Sequence, residues 1–147
     1  METTIRKAGI DDVQDVAPLF NAYRVFYKQP EDLIGATVFL TERLMTNESV
    51  IFIAYADGIP VGFTQLYPIF SSVSMQRTWL LNDLFVDGAC RGKGIGRALL
   101  NTAKVYGRST NSKWLMLQTG KENFSAQALY EKDGWTKESD FFYTVTL

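Results

Sequence analysis

Leu84-Phe85-Val86-Asp87-Gly88-Ala89-Cys90-Arg91-Gly92-Lys93-Gly94-Ile95-Gly96-Arg97 is the stretch on which the fold turns. It begins as the apolar end of a strand and finishes as the first turn of a helix. Between the two, Gly92, Gly94 and Gly96 lie within five residues, with Arg91 and Lys93 among them and Arg97 just after. Glycines let a backbone approach a phosphate without a side-chain clash. The N–H groups of a helix's first turn have no intrahelical partner, and the helix dipole favours negative charge there. The stretch reads either as a diphosphate cradle or as a plain glycine-rich turn into a helix. It is not a P-loop, because no Gly-x-x-x-x-Gly-Lys-Ser/Thr occurs. Nor is it the dinucleotide fingerprint: counted from Gly94, Leu99 stands where the third glycine belongs.

The charge around this loop is one-sided. Between Gly88 and Lys121 there is no Asp or Glu, while Arg91, Lys93, Arg97, Lys104, Arg108, Lys113 and Lys121 all fall there. Of 15 basic and 16 acidic residues, that leaves 8 basic against 16 acidic in the rest of the chain. Either a polyanion binds near residues 91–97 and a cation approaches from elsewhere, or the bias belongs to a solvated helix face. The acid-rich remainder argues against a nucleic-acid-binding domain.

Outward from the loop, the hydrophobic pattern divides the chain into alternating elements. Residues 75–86 read as a strand. A helix from about Gly94 to Arg108 carries the stripe Ile95, Leu99, Ala103 and Tyr106. Trp114 to Gln118 is an unbroken apolar run, which predicts a central strand. A short helix over 125–133 is stopped by Gly134, and residues 135–147 predict one or two closing strands. Upstream, residues 3–7 form a short strand. Val13, Val16, Ala17, Phe20, Tyr23 and Tyr27 (or Phe26) then recur at helical spacing. Pro30-Glu31-Asp32 opens a second helix through Leu33, Ala36, Leu40 and Leu44. Strands over 50–56 and 61–70 are joined by the hairpin signal Asp57-Gly58. The expected architecture is α/β or α+β, in one domain over residues 1–147, with about four helices. A mixed sheet of six to seven strands forms its centre.

Composition narrows the chemistry. The chain has 147 residues, enough for one full-sized core, with 46% hydrophobic and 21% charged residues. It contains no histidine, which removes histidine-based nucleophilic designs and most zinc sites. Its single cysteine, Cys90, forms no intrachain disulfide and has no partner for nucleophilic chemistry. No metal site is expected. No apolar run is long enough to cross a bilayer, and no leader pattern begins the chain, so a cytoplasmic setting is expected.

Two groups of residues together resemble a known family. Arg91-x-x-Gly94-x-Gly96 after an apolar strand is similar to the Gln/Arg-x-x-Gly-x-Gly/Ala pattern of the GCN5-related N-acetyltransferase (GNAT) family. Downstream, Asn123, Ala126, Leu129-Tyr130 and Gly134-Trp135 resemble its Asn-x-x-Ala-x-x-Leu-Tyr-x-x-x-Gly-Phe signature. The order of elements matches over essentially the whole chain. Asn82-Asp83-Leu84-Phe85-Val86, with the aromatic-rich first helix, looks like the branch holding diamine acetyltransferases and small yeast histone and amino-acid acetyltransferases.

The resemblance implies a mostly antiparallel sheet with one splayed parallel pair, residues 79–86 and 114–119, and acetyl-CoA in the cleft between them. The pantetheine arm would pair with the backbone of Leu84, Phe85 and Val86. The diphosphate would rest on Arg91, Gly92, Lys93, Gly94, Ile95, Gly96 and Arg97. Asn123 and Ala126 would touch the far side of the pantetheine, and Tyr130 would protonate the departing thiolate. The implied reaction is direct attack of a primary amine on the thioester. The acceptor would be a small molecule such as an amino acid or polyamine, or else a protein or peptide amine. A non-catalytic acyl-CoA-sensing module is the competing reading. No nucleic-acid or membrane partner is implied; a homodimer is, with the C-terminal strand offering an edge for it.

One departure concerns the base. Where diamine acetyltransferases often carry a Glu before the Asp of this strand, this chain has Asn82, which accepts no proton. Asp83 either attracts the acceptor's ammonium group while water removes the proton, or is a carboxylate hydrogen-bonded to backbone. The amine could also arrive already deprotonated, giving a rate that climbs with pH. Regular alternation would put Asn82 and Asp83 on opposite faces, and a bulge would change that. Tyr23 and Tyr27, with Phe26, either line the acceptor pocket or pack in the core. Glu31 and Asp32 steer a cation or cap a helix.

Overall fold

A computed structural model describes residues 1–147. The chain divides into two compact units, Met1–Leu117 and Gln118–Leu147.

The first unit is a five-stranded sheet in the order β1 (Thr3–Lys7), β2 (Val50–Ala56), β3 (Ile59–Ser71), β4 (Gln76–Val86), β5 (Leu115–Met116). Neighbours run antiparallel except β4 and β5, which are parallel. The β2–β3 turn places Asp57 and Gly58 at φ of 50° and 81°, as a two-residue hairpin turn requires. All seven residues of β2 are buried, because both of its faces are covered. On one face, α1 (Val13–Phe26) and α2 (Leu33–Met45) pack Val16, Phe20, Ala36 and Leu40 against Ile51, Ile53 and Phe63. On the other, α3 (Ile95–Ser109) sets Tyr106 against Phe52 and Trp79, each with ring centroids 5.4 Å apart.

The helices begin and face as their sequences dictate. Asp32 caps α2 by accepting the Gly35 N–H at 2.9 Å, so this carboxylate is a cap. In α3, Ile95, Leu99 and Ala103 are buried as the spacing predicts, with Leu100 and Gly107 joining them. In α1 the buried stripe runs from Val13 to Phe20. Tyr23 is half-buried, and Phe26 and Tyr27 are 55% and 51% exposed.

The second unit holds α4 (Phe124–Lys132) and no strand. Two expectations are therefore corrected. The sheet has five strands, not six or seven, because residues 135–147 enter no ladder. The 114–118 run is not a central strand; only Leu115–Met116 pair, at the sheet's edge and half-buried. An unbroken apolar run signals burial, but it cannot say which neighbour supplies that burial.

Candidate functional site

β4 pairs with β5 at two positions only, Trp79 with Leu115 and Leu80 with Met116. Beyond Leu80 no strand of the sheet pairs with that side of β4, although β3 continues to pair with its other side through Val86. This is the splay. It leaves that side of residues 81–86 without a strand partner, which suits an extended ligand that adds like a strand.

β4 carries a bulge within this segment. Thr64 lies opposite Leu84 and Gln65 opposite Asp83, but Leu66 lies opposite Leu81, so Asn82 is the extra residue. The bulge turns Asn82 outward and Asp83 inward. Asp83 is only 4% exposed. Its Oδ2 accepts from Gln65 Nε2 at 2.7 Å, and its Oδ1 from Asn82 Nδ2 at 3.1 Å. The Tyr23 hydroxyl is a third donor to the same carboxylate and also reaches the Asn82 carbonyl at 3.4 Å. Burial raises the Asp83 carboxyl above its ordinary value, against the opposing pull of these three hydrogen bonds. Nearby, burial and the Asp83 charge push the Tyr67 phenol up to about 12.

After β4 the chain takes one short 3-10 turn, Gly88–Cys90, and reaches Arg91. Arg91 Nε donates to the Val86 carbonyl at 2.9 Å. Its guanidinium also lies 5.4 Å from the Phe26 ring and 5.7 Å from the Phe85 ring. Arg91 therefore ties the loop to the end of β4 and to α1. Gly92 and Gly94 hold φ of 75° and 82°, the left-handed region where a Cβ is costly. A Cβ at either position would meet nothing within 4 Å, so the space beside the loop is open. Gly94 is the N-cap of α3 and has no side chain to satisfy the first turn, which contains no acid. Lys93 is exposed beside it. The donors and charges suit a diphosphate.

The second unit presents the other motif. Asn123 caps α4, its Oδ1 accepting the Ala126 N–H at 3.4 Å. Gln127 Nε2 donates to the carbonyls of Gly120 and Lys121, both at 2.9 Å, tying the preceding loop to the helix. Tyr130, half-buried, packs its ring 6.1 Å from Trp135, and its carbonyl accepts the Trp135 N–H at 3.0 Å.

Of the residues singled out from sequence, the first unit brings together Leu84, Phe85, Val86, the 91–97 loop, Asp83 and Tyr23. Tyr23 belongs to the core by its ring and to the site by its hydroxyl. Its ring lies 5.8 Å from Phe63 and 6.2 Å from Phe85. Tyr27, 5.0 Å from Tyr23, stands on the exposed rim. Two contacts around these residues were not read from the sequence. One is the Arg91 tie to Val86. The other is Gln65, fully buried in β3 with its Oε1 unpartnered. Its signal was a polar Thr64-Gln65 pair inside an otherwise apolar strand. A separate cavity of about 540 Å³, lined by Lys7, Ser49, Arg77 and Tyr106, contains none of these residues.

Known proteins resemble this chain in sequence and fold. The model of the acetyltransferase (GNAT) family matches residues 15–135. The uncharacterized N-acetyltransferase YhfO of Bacillus subtilis (strain 168) is 50% identical over 139 residues, covering 95% of this chain and 93% of the relative. A probable acetyltransferase of Haemophilus influenzae is 35% identical, covering 88% and 87%. A crystal structure of a probable acetyltransferase superposes with a TM-score of 0.93 at 37% identity, over 98% of this chain and 97% of the other.

Proposed function

Since this chain belongs to the acetyltransferase (GNAT) family and is an N-acetyltransferase, we propose that it moves the acetyl group of acetyl-CoA onto a primary amine of a small molecule, an amino acid, a polyamine or a related metabolite. The observation that carries the acetyl-CoA half is the unpaired side of β4 running into an uncapped, glycine-opened helix N-terminus. An extended pantetheine needs backbone partners, and a diphosphate needs N–H groups and positive charge. The first unit offers both within fourteen residues of continuous chain, 84–97.

In this reading the backbone of Leu84 to Val86 holds the pantetheine arm. A backbone N–H near Leu84 stabilises the oxyanion that forms as the amine attacks the thioester. Lys93, Arg97 and the N–H groups of Ile95 and Gly96 hold the diphosphate, and Arg91 fixes the loop that aims them. By their motif, Asn123 and Ala126 are assigned to the pantetheine arm. Tyr130 donates a proton to the departing thiolate, as a phenol suits a donor and not a base at neutral pH.

The acceptor half rests on Asp83. Buried and held by three donors, it acts as a fixed negative charge that attracts an ammonium group. The Tyr23 hydroxyl meets it from α1, and the ring of the exposed Tyr27, just past the helix end, packs against Tyr23. Asp83 is too enclosed to collect the proton directly, so water carries it away. The single cysteine suits a reducing, cytoplasmic setting.

An acceptor screen that follows release of the CoA thiol across amino acids, polyamines and peptides tests the proposal. Turnover with small primary amines is expected. Turnover confined to peptides would replace the acceptor class. Tight CoA binding with no thiol release for any amine would mean an acyl-CoA sensor.

A further inference from the structure

One cavity of the first unit contains none of the residues proposed for acetyl transfer. Its volume is about 540 Å³, inside the range of roughly 300–1,000 Å³ usual for small-molecule sites. It lies where β1 and α3 end and where β2 and β4 begin. The glycine loop opens α3 at one end, and Tyr106 and Thr110 reach the cavity from the other. A helix of 15 residues is about 22 Å long, so the two places are distinct.

The lining contains two cations, Lys7 and Arg77, and no Asp or Glu. Neither cation is ion-paired. Two acids close by in sequence, Asp12 and Glu48, are taken by Arg6 at 2.6 Å and Arg43 at 3.0 Å. Lys7 and Arg77 rest instead on aromatic rings. Lys7 Nζ is 5.2 Å from the Tyr106 centroid, and the Arg77 guanidinium is 5.1 Å from that of Trp79. The two rings are themselves 5.4 Å apart. Trp79 is buried, and its Nε1 donates to Thr110 Oγ1 at 2.9 Å, so the wall beneath the charges is fixed. Positive charge is thus held on neighbouring rings with no carboxylate of its own.

An orphaned donor lines the same cavity. Ser49 is 6% exposed, and its hydroxyl is buried without a hydrogen-bond partner. Such a group is costly unless something satisfies it. An oxygen of a bound anion would accept from it. Ala8, Leu44 and Val50 add apolar wall around these polar groups. The helices limit the charge. α2 and α3 both reach the cavity with their last turns, through Leu44 and Tyr106. The carbonyl end of a helix disfavours a dianion such as a phosphate monoester.

We propose that this cavity binds a small monocarboxylate with an aromatic or branched apolar body. The carboxylate pairs with Lys7 and Arg77, whose planar fork matches two carboxylate oxygens, and accepts from the Ser49 hydroxyl. The body packs on the wall made by Trp79 and Tyr106.

The assigned Trp79 indole N–H resonance of the full chain reports on the site. With CoA present at saturation, titration with benzoate, phenylacetate and isovalerate is expected to shift it saturably for at least one of them. The amide of whichever acid binds tightest, which lacks the charge, is expected to bind about tenfold more weakly or worse. The same loss is expected for that acid with Lys7→Gln and with Arg77→Gln. Ser49→Ala is expected to weaken binding while melting no lower than wild type, since it removes an unsatisfied hydroxyl. The comparison of acid with amide needs no variant, so it stands even where a variant folds poorly. No saturable shift with any of the three acids would overturn the proposal. So would equal affinity for acid and amide, tighter binding of phenyl phosphate than of phenylacetate, or wild-type affinity in both cation variants.

Discussion

Gln65 and Asp83 face each other across the β3–β4 ladder, and the Gln65 amide donates to the Asp83 carboxylate at 2.7 Å in a wholly buried setting. The pair exists because Asn82 is a bulge. Without the extra residue, the register beyond Leu81 would shift by one and Asp83 would turn to the other face. Buried charge, hydrogen-bonded but without a cation, is costly, and the raised Asp83 pKa records that cost.

The sign of its pH dependence follows. In the unfolded chain Asp83 releases its proton near the ordinary value of 3.8, whereas the folded chain holds it to higher pH. The folded state binds more protons between the two values, so this residue's contribution to stability falls as pH rises through that window and stays low above it. Asp83→Asn lacks the ionisation. Its melting temperature relative to wild type is expected to rise from acid to neutral pH. Parallel melting curves for the two proteins over that range would refute the account. In the acetyl-transfer assay, the same variant is expected to raise KM for a cationic acceptor.

Tyr130→Phe keeps the ring that packs on Trp135 and removes only the hydroxyl. If Tyr130 protonates the thiolate, kcat falls by about 10²-fold or more, while KM for acetyl-CoA changes little. Steady-state kinetics over a range of pH decide this. Equal turnover of variant and wild type at every pH would remove Tyr130 from the reaction.

Gly94→Ala places a Cβ at φ of 82°, which costs about 1–2 kcal/mol. No neighbour lies within 4 Å of that Cβ, so the loss arises from backbone conformation and not from a clash. Lower stability in chemical denaturation and a higher KM for acetyl-CoA are expected together. Stability lost with an unaltered KM would show that the left-handed turn is a folding device alone.

Arg91→Lys keeps the charge but removes the Nε–H that holds the Val86 carbonyl. A loop fixed by that bond predicts a rise in KM for acetyl-CoA despite the conserved charge. Lys93→Gln removes charge alone, so its penalty is expected to shrink as salt is added. Titration of both variants at low and high ionic strength separates the two roles. Identical salt responses would contradict the division.

The glycine loop and the helix start proposed to hold the cofactor were legible because their determinants are local. Three glycines and three bases before a 3.6-residue stripe specify a helix N-terminus without reference to the rest of the chain. The same holds for Asn123 and Ala126, which bond to one another across a single helical turn. The surroundings of Asp83 were not legible for a corresponding reason. Asp83 meets Gln65 from 18 residues away and Tyr23 from another helix, and a one-residue bulge decides whether they meet at all. The closing strands expected over residues 135–147 are absent from the structure, because a strand requires a neighbour and residue types alone do not supply one.

The sequence by itself therefore determined the family, the helix that opens at Gly94, and the strand that leads into it. These depend on periodicity, glycine and charge within a few residues. Only the tertiary structure decided that the sheet stops at β5, that Asp83 is buried beside Gln65, and that Arg91 fastens the loop to Val86. Each of these is a contact between segments distant along the chain. The free energy of such a contact depends on register and burial, which no short stretch of residues contains.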